Sequence, residues 1–152
     1  MRAQDSLALE DEQAVERLPL RKSAAYDGRT QSIGDARKFT QAFLSRVQSV
    51  QVSPSSLAMA QLVVSELVTN ACKYAPGRLL LDLEVDKGVL AVTVWDTDPG
   101  LPAALGSDPG RVGRHGLEII LAVSRSIDAH REPVGKRITA LIGLTGELTD
   151  PT

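Results

Sequence analysis

Glu66 and Asn70 stand four residues apart in the segment 65–71. Four residues are about one helical turn, so a helix would project the carboxylate and the amide from one face, with Lys73 at its edge. Such groups are costly to bury without partners. A magnesium-bound nucleotide would supply them, because an amide oxygen suits a hard cation, a lysine meets phosphate and a carboxylate orients or deprotonates a nucleophile.

Two further blocks carry chemistry suited to a nucleotide. Asp96 ends an alternating run and precedes a glycine turn at Gly100, where a carboxylate can accept the exocyclic amine of a purine. The segment 110–117 places glycines before a helix N-terminus, where backbone amides and the helix dipole favour phosphate. Its spacing matches neither the dinucleotide-binding fingerprint nor the phosphate-binding loop that ends in Lys-Ser/Thr.

Each block alone also has an ordinary structural interpretation. Glu66 and Asn70 could lie on a solvated helix face, and aspartate at a strand end, as at Asp96, commonly forms turns. The glycine-rich segment could be a plain linker containing a loop histidine, His115, and Lys73 could be a solvated surface lysine. The nucleotide interpretation therefore depends on the three blocks occurring together.

Hydrophobic periodicity predicts the elements that position these blocks. It indicates a short strand near Leu18 and Leu20, a helix from 33 to 48 behind a Ser32–Asp35 capping box, and a second helix from Ser53-Pro54 to Pro76-Gly77. The remaining elements are a hairpin of strands 79–85 and 89–95, a loop over 97–115, a third helix from Gly116, and a final hairpin of strands 128–132 and 137–144. This order is typical of an α/β (α+β) two-layer sandwich, a mixed, largely antiparallel sheet covered on one face by three helices.

Composition limits the possible classes of protein. The chain has 152 residues, a net charge of −2, 3% aromatic residues and a single cysteine, Cys72. We expect one domain over 15–145, between a mobile acidic arm (1–14) and a tail (146–152). The charge and the few aromatics argue against nucleic-acid binding, and one cysteine permits no internal disulfide. With neither a signal peptide nor an apolar run of about 18 residues, a cytoplasmic location without membrane contact is expected.

Together, the three blocks resemble the gyrase/chaperone/histidine-kinase ATPase superfamily with its Bergerat-type fold, over about residues 16–143. Within it, the chain is most similar to the anti-sigma-factor serine kinases of actinobacterial type. The segment 65–71, Ser-Glu-Leu-Val-Thr-Asn-Ala, resembles the family's N-box almost letter for letter. Asp98 and His115 depart from the wider pattern, which often has glycine or another small residue at these positions.

The resemblance implies a role for each candidate residue. Asn70 would coordinate Mg²⁺, and Glu66 would be the general base or would orient the attacking hydroxyl. Asp96 would bind the adenine amine. Further residues would contact the nucleotide: Lys73 beside it, Gly100 where the chain passes the base, Gly113, Arg114, His115, Gly116 and Leu117 in a phosphate-side lid, and Thr139 through water to the adenine.

The resemblance also implies ATP and Mg²⁺ as cofactors and a serine/threonine protein kinase as the activity. The expected substrate is an anti-sigma-factor antagonist, and the protein would also sequester a sigma factor. An alternative is a catalytically silent module that binds these partners in a nucleotide-dependent way. Members of the family often dimerise, so Phe39 and Phe43 of the first helix could serve a homodimer contact or the core. A free ATPase would need further domains.

Overall fold

The computed structural model describes residues 20–74, 77–97, 118, 120, 123–133 and 135–145. The expected arm (1–14) and tail (146–152) lie outside these ranges. The described elements are, in chain order, β1 (Leu20–Tyr26), α1 (Gln31–Ser45), α2 (Pro54–Tyr74), β2 (Leu79–Asp86), β3 (Val89–Asp96), β4 (Ser126–Arg131) and β5 (Lys136–Gly143). The strands form one sheet in the order β1-β2-β3-β5-β4, in which every pairing is antiparallel. The predicted two-layer fold class is confirmed.

Alternation along the central strands creates the core. Successive side chains of a strand point to opposite faces, so one face of β2, β3 and β5 collects the apolar residues. Helix α2 packs on β2, β3 and β5, and α1 packs on α2. The fully buried core contains residues from both layers: Ala60, Val63, Val64, Val68, Leu81, Leu83, Leu90, Val92, Ala140 and Ile142.

The third predicted helix falls mostly outside the described residues. Glu118, Ile120 and Val123 are helical, and the amide of Ser124 donates to the carbonyl of Ile120 at 3.0 Å. Ile120 is fully buried in the core. This segment therefore contributes to the helix layer, although its beginning at Gly116 is not described.

The two complete helices begin differently. Ser53 caps α2 as predicted: its Oγ accepts the amide of Ser56 at 3.1 Å, and Pro54 is the first helical residue. The capping box predicted at Ser32 is wrong, because α1 begins at Gln31 and Ser32 lies inside it. The Ser32 hydroxyl donates instead to the carboxylate of Asp27, which also accepts the amide of Arg29.

Phe39 and Phe43 belong to the core. Phe43 is 3% exposed, and Phe39 is partly buried and packs against the same cluster. The structure therefore favours the core alternative for this face of α1. Within the described ranges, no helix combines the length and the apolar character needed to span a bilayer.

Candidate functional site

Helix α2 carries the first block near its C-terminal end. Asn70 is only 8% exposed, and its Nδ2 has no hydrogen-bond partner among the described residues. Glu66, one turn earlier, is half-buried, and Lys73 is exposed. The neighbouring hydroxyls of Ser65 and Thr69 are already used, because each donates to a carbonyl one turn before it in the helix. Asn70 is therefore the buried polar group of this helix that a ligand would satisfy.

Asp96 forms a buried ion pair with Lys136. The Nζ of Lys136 lies 3.0 Å from each carboxylate oxygen of Asp96, and the two side chains are 5% and 4% exposed. The residues are direct partners at the ends of β3 and β5. A buried carboxylate needs such a charged partner, since an isolated ion is expensive to remove from water.

The turn before β5 packs tightly on Asp96. Gly135 has φ +85°, and a Cβ at this position would overlap with the carbonyl oxygen of Asp96. Only glycine adopts this conformation without strain and leaves room for the close approach. The backbone of the last hairpin is thereby fixed against the end of β3.

Asn70 and Asp96 lie at the same end of the fold. Gly77 follows the C-terminus of α2 by three residues, and a Cβ built on it would lie 3.9 Å from Oγ1 of Thr97, the residue after Asp96. Gly28, with φ +83°, approaches Gly77 so closely that a Cβ would overlap with its carbonyl oxygen. The end of α2 and the end of β3 are therefore neighbours.

Asp96 also points toward the helix layer. It shares strand parity with the buried residues Val92 and Val94 of β3. Because α2 packs across β3 and β5, its buried face covers the strands that carry Asp96 and Lys136. The structure thus brings Asn70, Asp96 and Lys136 to one end of the helix–sheet interface, with Glu66 and Lys73 near them on α2.

Thr139 does not lie on the sheet face that carries Asp96 and Lys136. It is the direct partner of Thr93, three residues from Asp96, and both threonines lie on the sheet face that points away from the helices. Their hydroxyl oxygens are 2.9 Å apart and form a hydrogen bond. This position gives no support to the expected role of Thr139 in adenine recognition.

The remaining predicted site residues lie outside the described part of the chain. These are Gly100, where the chain would pass the base, and the lid residues Gly113, Arg114, His115, Gly116 and Leu117. Asp98, which departs from the family pattern, lies outside the described residues as well. Sequence reasoning missed Lys136. The available signal was the turn at Gly135, because a lysine directly after that turn becomes the partner of the last residue of β3 once the register is known.

Cys72 lies on α2 between Asn70 and Lys73 and is half-buried. Its Sγ lies 3.6 Å from the carbonyl oxygen of Arg29. Burial, and secondarily the nearby charge of Asp27, raises the pKa of the thiol. Cys72 therefore stays protonated at neutral pH, which fits packing more than reactivity.

A groove with a volume of about 450 Å³ lies at the opposite end of α2. It is lined by residues of α1, of the following loop and of the start of α2, among them Leu44, Val50 and Leu57. Pro54 precedes Asn70 by sixteen residues, about 24 Å along a helix at 1.5 Å per residue. The groove is therefore separate from the candidate site.

The sequence model of the histidine kinase-like ATPase domain matches residues 28–142. The chain belongs to this family. No curated protein matches it. The matched range includes Glu66, Asn70, Lys73, Asp96 and Lys136.

A solved structure shares the fold of this ATPase domain. The structure of the RsbU and RsbW domains of Rv1364c from Mycobacterium tuberculosis is 15% identical with a TM-score of 0.59, covering 84% of this chain and 32% of that one. The chain thus spans about a third of that structure. The blue-light-activated histidine kinase of Erythrobacter litoralis has 20% identity and a TM-score of 0.47, covering 75% of this chain and 60% of that one. Histidine kinase AdeS of Acinetobacter baumannii has 19% identity and a TM-score of 0.49, and the match covers 81% of this chain and 68% of that one.

The residues at this end of the fold suit a magnesium-bound nucleotide. Magnesium in nucleotide sites uses one or two protein oxygens and completes its shell with phosphate oxygens and water. Asn70 offers one amide oxygen to the cation, while its buried Nδ2, a donor without a partner among the described residues, suits a phosphate oxygen and not the metal. Within those ranges, no three His, Cys, Asp or Glu side chains form a metal-binding cluster. One amide oxygen from the protein, with phosphate oxygens and water as the other ligands, would complete the shell of Mg²⁺.

Proposed function

We propose that this protein is an ATP-binding regulator that phosphorylates a serine or threonine on an anti-sigma-factor antagonist and also sequesters a sigma factor. The observation that carries the proposal is the burial of Asn70 and Asp96 at the same end of the helix–sheet interface. Membership of the histidine kinase-like ATPase domain family supports nucleotide binding. The resemblance of the N-box to that of the serine kinases, together with the fold shared with an RsbW domain, favours this partner class.

The described residues would divide the work of binding. The Asp96 carboxylate would accept a hydrogen bond from the exocyclic amine of the base. The Asn70 amide oxygen would hold Mg²⁺, and the cation would neutralise phosphate charge. Lys73 is exposed in the last turn of α2, and its ammonium would meet phosphate. On sequence grounds, the phosphate-side lid would consist of Gly113, Arg114, His115, Gly116 and Leu117.

Phosphoryl transfer needs little covalent help from the protein, because catalysis is mostly positioning and stabilisation of charge. The hydroxyl oxygen of the substrate attacks the γ-phosphorus, and the bond from that phosphorus to the β–γ bridging oxygen breaks. ADP leaves, and Glu66 orients the hydroxyl and takes its proton. Glu66 is half-buried and makes no hydrogen bond or ion pair with any described residue, so its carboxylate is available for this role.

The direct test incubates the protein with radiolabelled ATP and a candidate antagonist. Label should reach a serine or threonine of the antagonist. Glu66→Gln should abolish transfer while ATP affinity stays near the wild-type value, because the amide keeps the shape of the side chain but cannot take the proton. Glu84→Gln, on the sheet face that points away from the helices, is the matched control and should transfer label normally.

Three results would change the proposal. ATP binding without transfer of label to the antagonist would remove the kinase activity. If Glu66→Gln also left sigma-factor binding unchanged, the protein would be a binding module that uses the nucleotide only as a structural ligand. Absence of ATP binding would remove the nucleotide site itself.

A further inference from the structure

We propose that Lys136 sets the base selectivity of the nucleotide site by neutralising Asp96, so that guanine nucleotides bind nearly as well as adenine nucleotides. This inference rests on the proposed function, because it takes Asp96 to be the group that meets the base. Its motivation is the buried ion pair, in which Nζ of Lys136 lies 3.0 Å from both carboxylate oxygens.

Lys136 cannot leave Asp96 at low cost when a base arrives. The two residues are direct partners in the β3–β5 register, so their Cβ atoms are held close together. Both side chains are at least 95% buried. Withdrawing the ammonium would leave a buried carboxylate without its counter-charge, which is strongly unfavourable. A base therefore meets the two charges together.

The turn at Gly135 adds a second constraint. Its backbone packs directly against the carbonyl group of Asp96 and the Cα of Thr97. Lys136 begins β5 immediately after this turn, so its backbone cannot shift away while the hairpin stays paired. The ammonium is consequently a fixed feature of the surface that would meet the base.

The ion pair changes which base edges are favourable. An ionised carboxylate only accepts hydrogen bonds, so alone it attracts the amino group of adenine and repels O6 of guanine. An adjacent ammonium cancels most of that repulsion and attracts O6, while the carboxylate still attracts the N1 proton of guanine. Both purines then place a donor beside an acceptor, and the pair distinguishes them poorly.

The test measures the Kd of ATP and of GTP for the whole chain by calorimetry, at pH 8 with Mg²⁺. A hydrogen-bond pair that reads a base commonly discriminates about 10-fold or more, so we expect a GTP/ATP Kd ratio below about 10 for the wild type. Lys136→Met, which removes the charge and keeps the side-chain length, should raise the ratio by about fivefold or more.

Three further variants make the test specific. Lys136→Arg keeps the positive charge and should keep the wild-type ratio. Lys136→Gln removes the charge with a polar side chain, should raise the ratio, and decides the matter if Lys136→Met does not fold. Lys22→Met removes an exposed lysine of β1 and should leave the ratio unchanged.

A wild type that prefers ATP by more than about 100-fold would overturn this inference while leaving the proposed nucleotide site intact. An unchanged ratio in folded Lys136→Met and Lys136→Gln proteins would overturn it as well. Failure of both nucleotides to bind the wild type would instead overturn the proposed function, and this inference with it.

Discussion

The ammonium of Lys136 and the carboxylate of Asp96 form an ion pair that joins the ends of β3 and β5 away from water. Removing one member of such a pair takes the buried counter-charge from the other, so Lys136→Met should lower the free energy of unfolding by about 3–5 kcal/mol. The double variant Asp96→Asn/Lys136→Met should recover most of that loss. Urea denaturation of the single and double variants measures both effects, and additive losses would contradict the buried pairing.

Asn70→Ala should separate ligand binding from stability. Alanine removes a buried amide whose Nδ2 lacks a partner among the described residues and favours the helix, so the Tm should stay the same or rise. The Mg²⁺-dependent part of the ATP affinity should disappear. Calorimetric titrations with and without Mg²⁺ measure this, and a marked fall in Tm would instead identify Asn70 as a structural residue.

Thr139→Val should leave nucleotide affinity unchanged. Thr139 lies on the sheet face opposite to that of Asp96 and bonds to the hydroxyl of Thr93. The loss of this bond should cost about 1 kcal/mol of stability. A fluorescence titration with an ATP analogue measures the affinity, and a tenfold weaker value would restore Thr139 to the nucleotide site.

Gly135→Ala should destabilise the protein and weaken nucleotide binding. A positive φ alone costs a non-glycine residue roughly 1–2 kcal/mol, and the added Cβ would also overlap with the carbonyl oxygen of Asp96. The matched control is Gly34→Ala in α1, where a Cβ meets nothing within 4 Å. That change should stabilise by about 0.5–1 kcal/mol, because alanine favours a helix. Thermal unfolding measures the stability of both variants, and equal changes in Tm would be inconsistent with a special role for the turn at Gly135.

Alkylation of Cys72 should require a higher pH than alkylation of a free thiol. Burial and, less strongly, Asp27 raise the thiol pKa, and only the thiolate reacts. The rate with iodoacetamide should therefore reach half its maximum above the usual value of about 8.5. Asp27→Asn should move that midpoint downward. A wild-type midpoint at or below the value for a free thiol would contradict the burial seen here.

The hairpins were predictable because apolar alternation is strong in their strands, as from Leu79 to Val85, where one face is buried. Strand β1 runs well beyond the predicted Leu18–Leu20 region to Tyr26, and the sequence hides it because most of its residues are exposed at the sheet edge. Its attachment to β2 is partly polar: Arg21 and Ser23 both donate to the buried carboxylate of Asp82. Such an edge strand leaves no hydrophobic pattern to detect.

The candidate site was predictable only in part. The spacing of Glu66 and Asn70 on one helix is local information, and the position of Asp96 at a strand end follows from alternation. The partnership of Asp96 with Lys136 spans 40 residues and depends on the pairing register of β3 with β5. No local pattern encodes that register, whereas the sheet face of Thr139 follows from its alternation with the buried residues Ile138 and Ala140.

The turn at Gly135 determines when, during folding, the protein becomes able to bind its ligand. Because β5 is the last described strand and supplies the counter-charge for Asp96, the pocket end of the sheet is complete only after the final hairpin has docked. Shortened chains that end before Lys136 would keep the N-box helix yet lack this closure, so ligand capture would report on whether the C-terminal hairpin has joined the sheet.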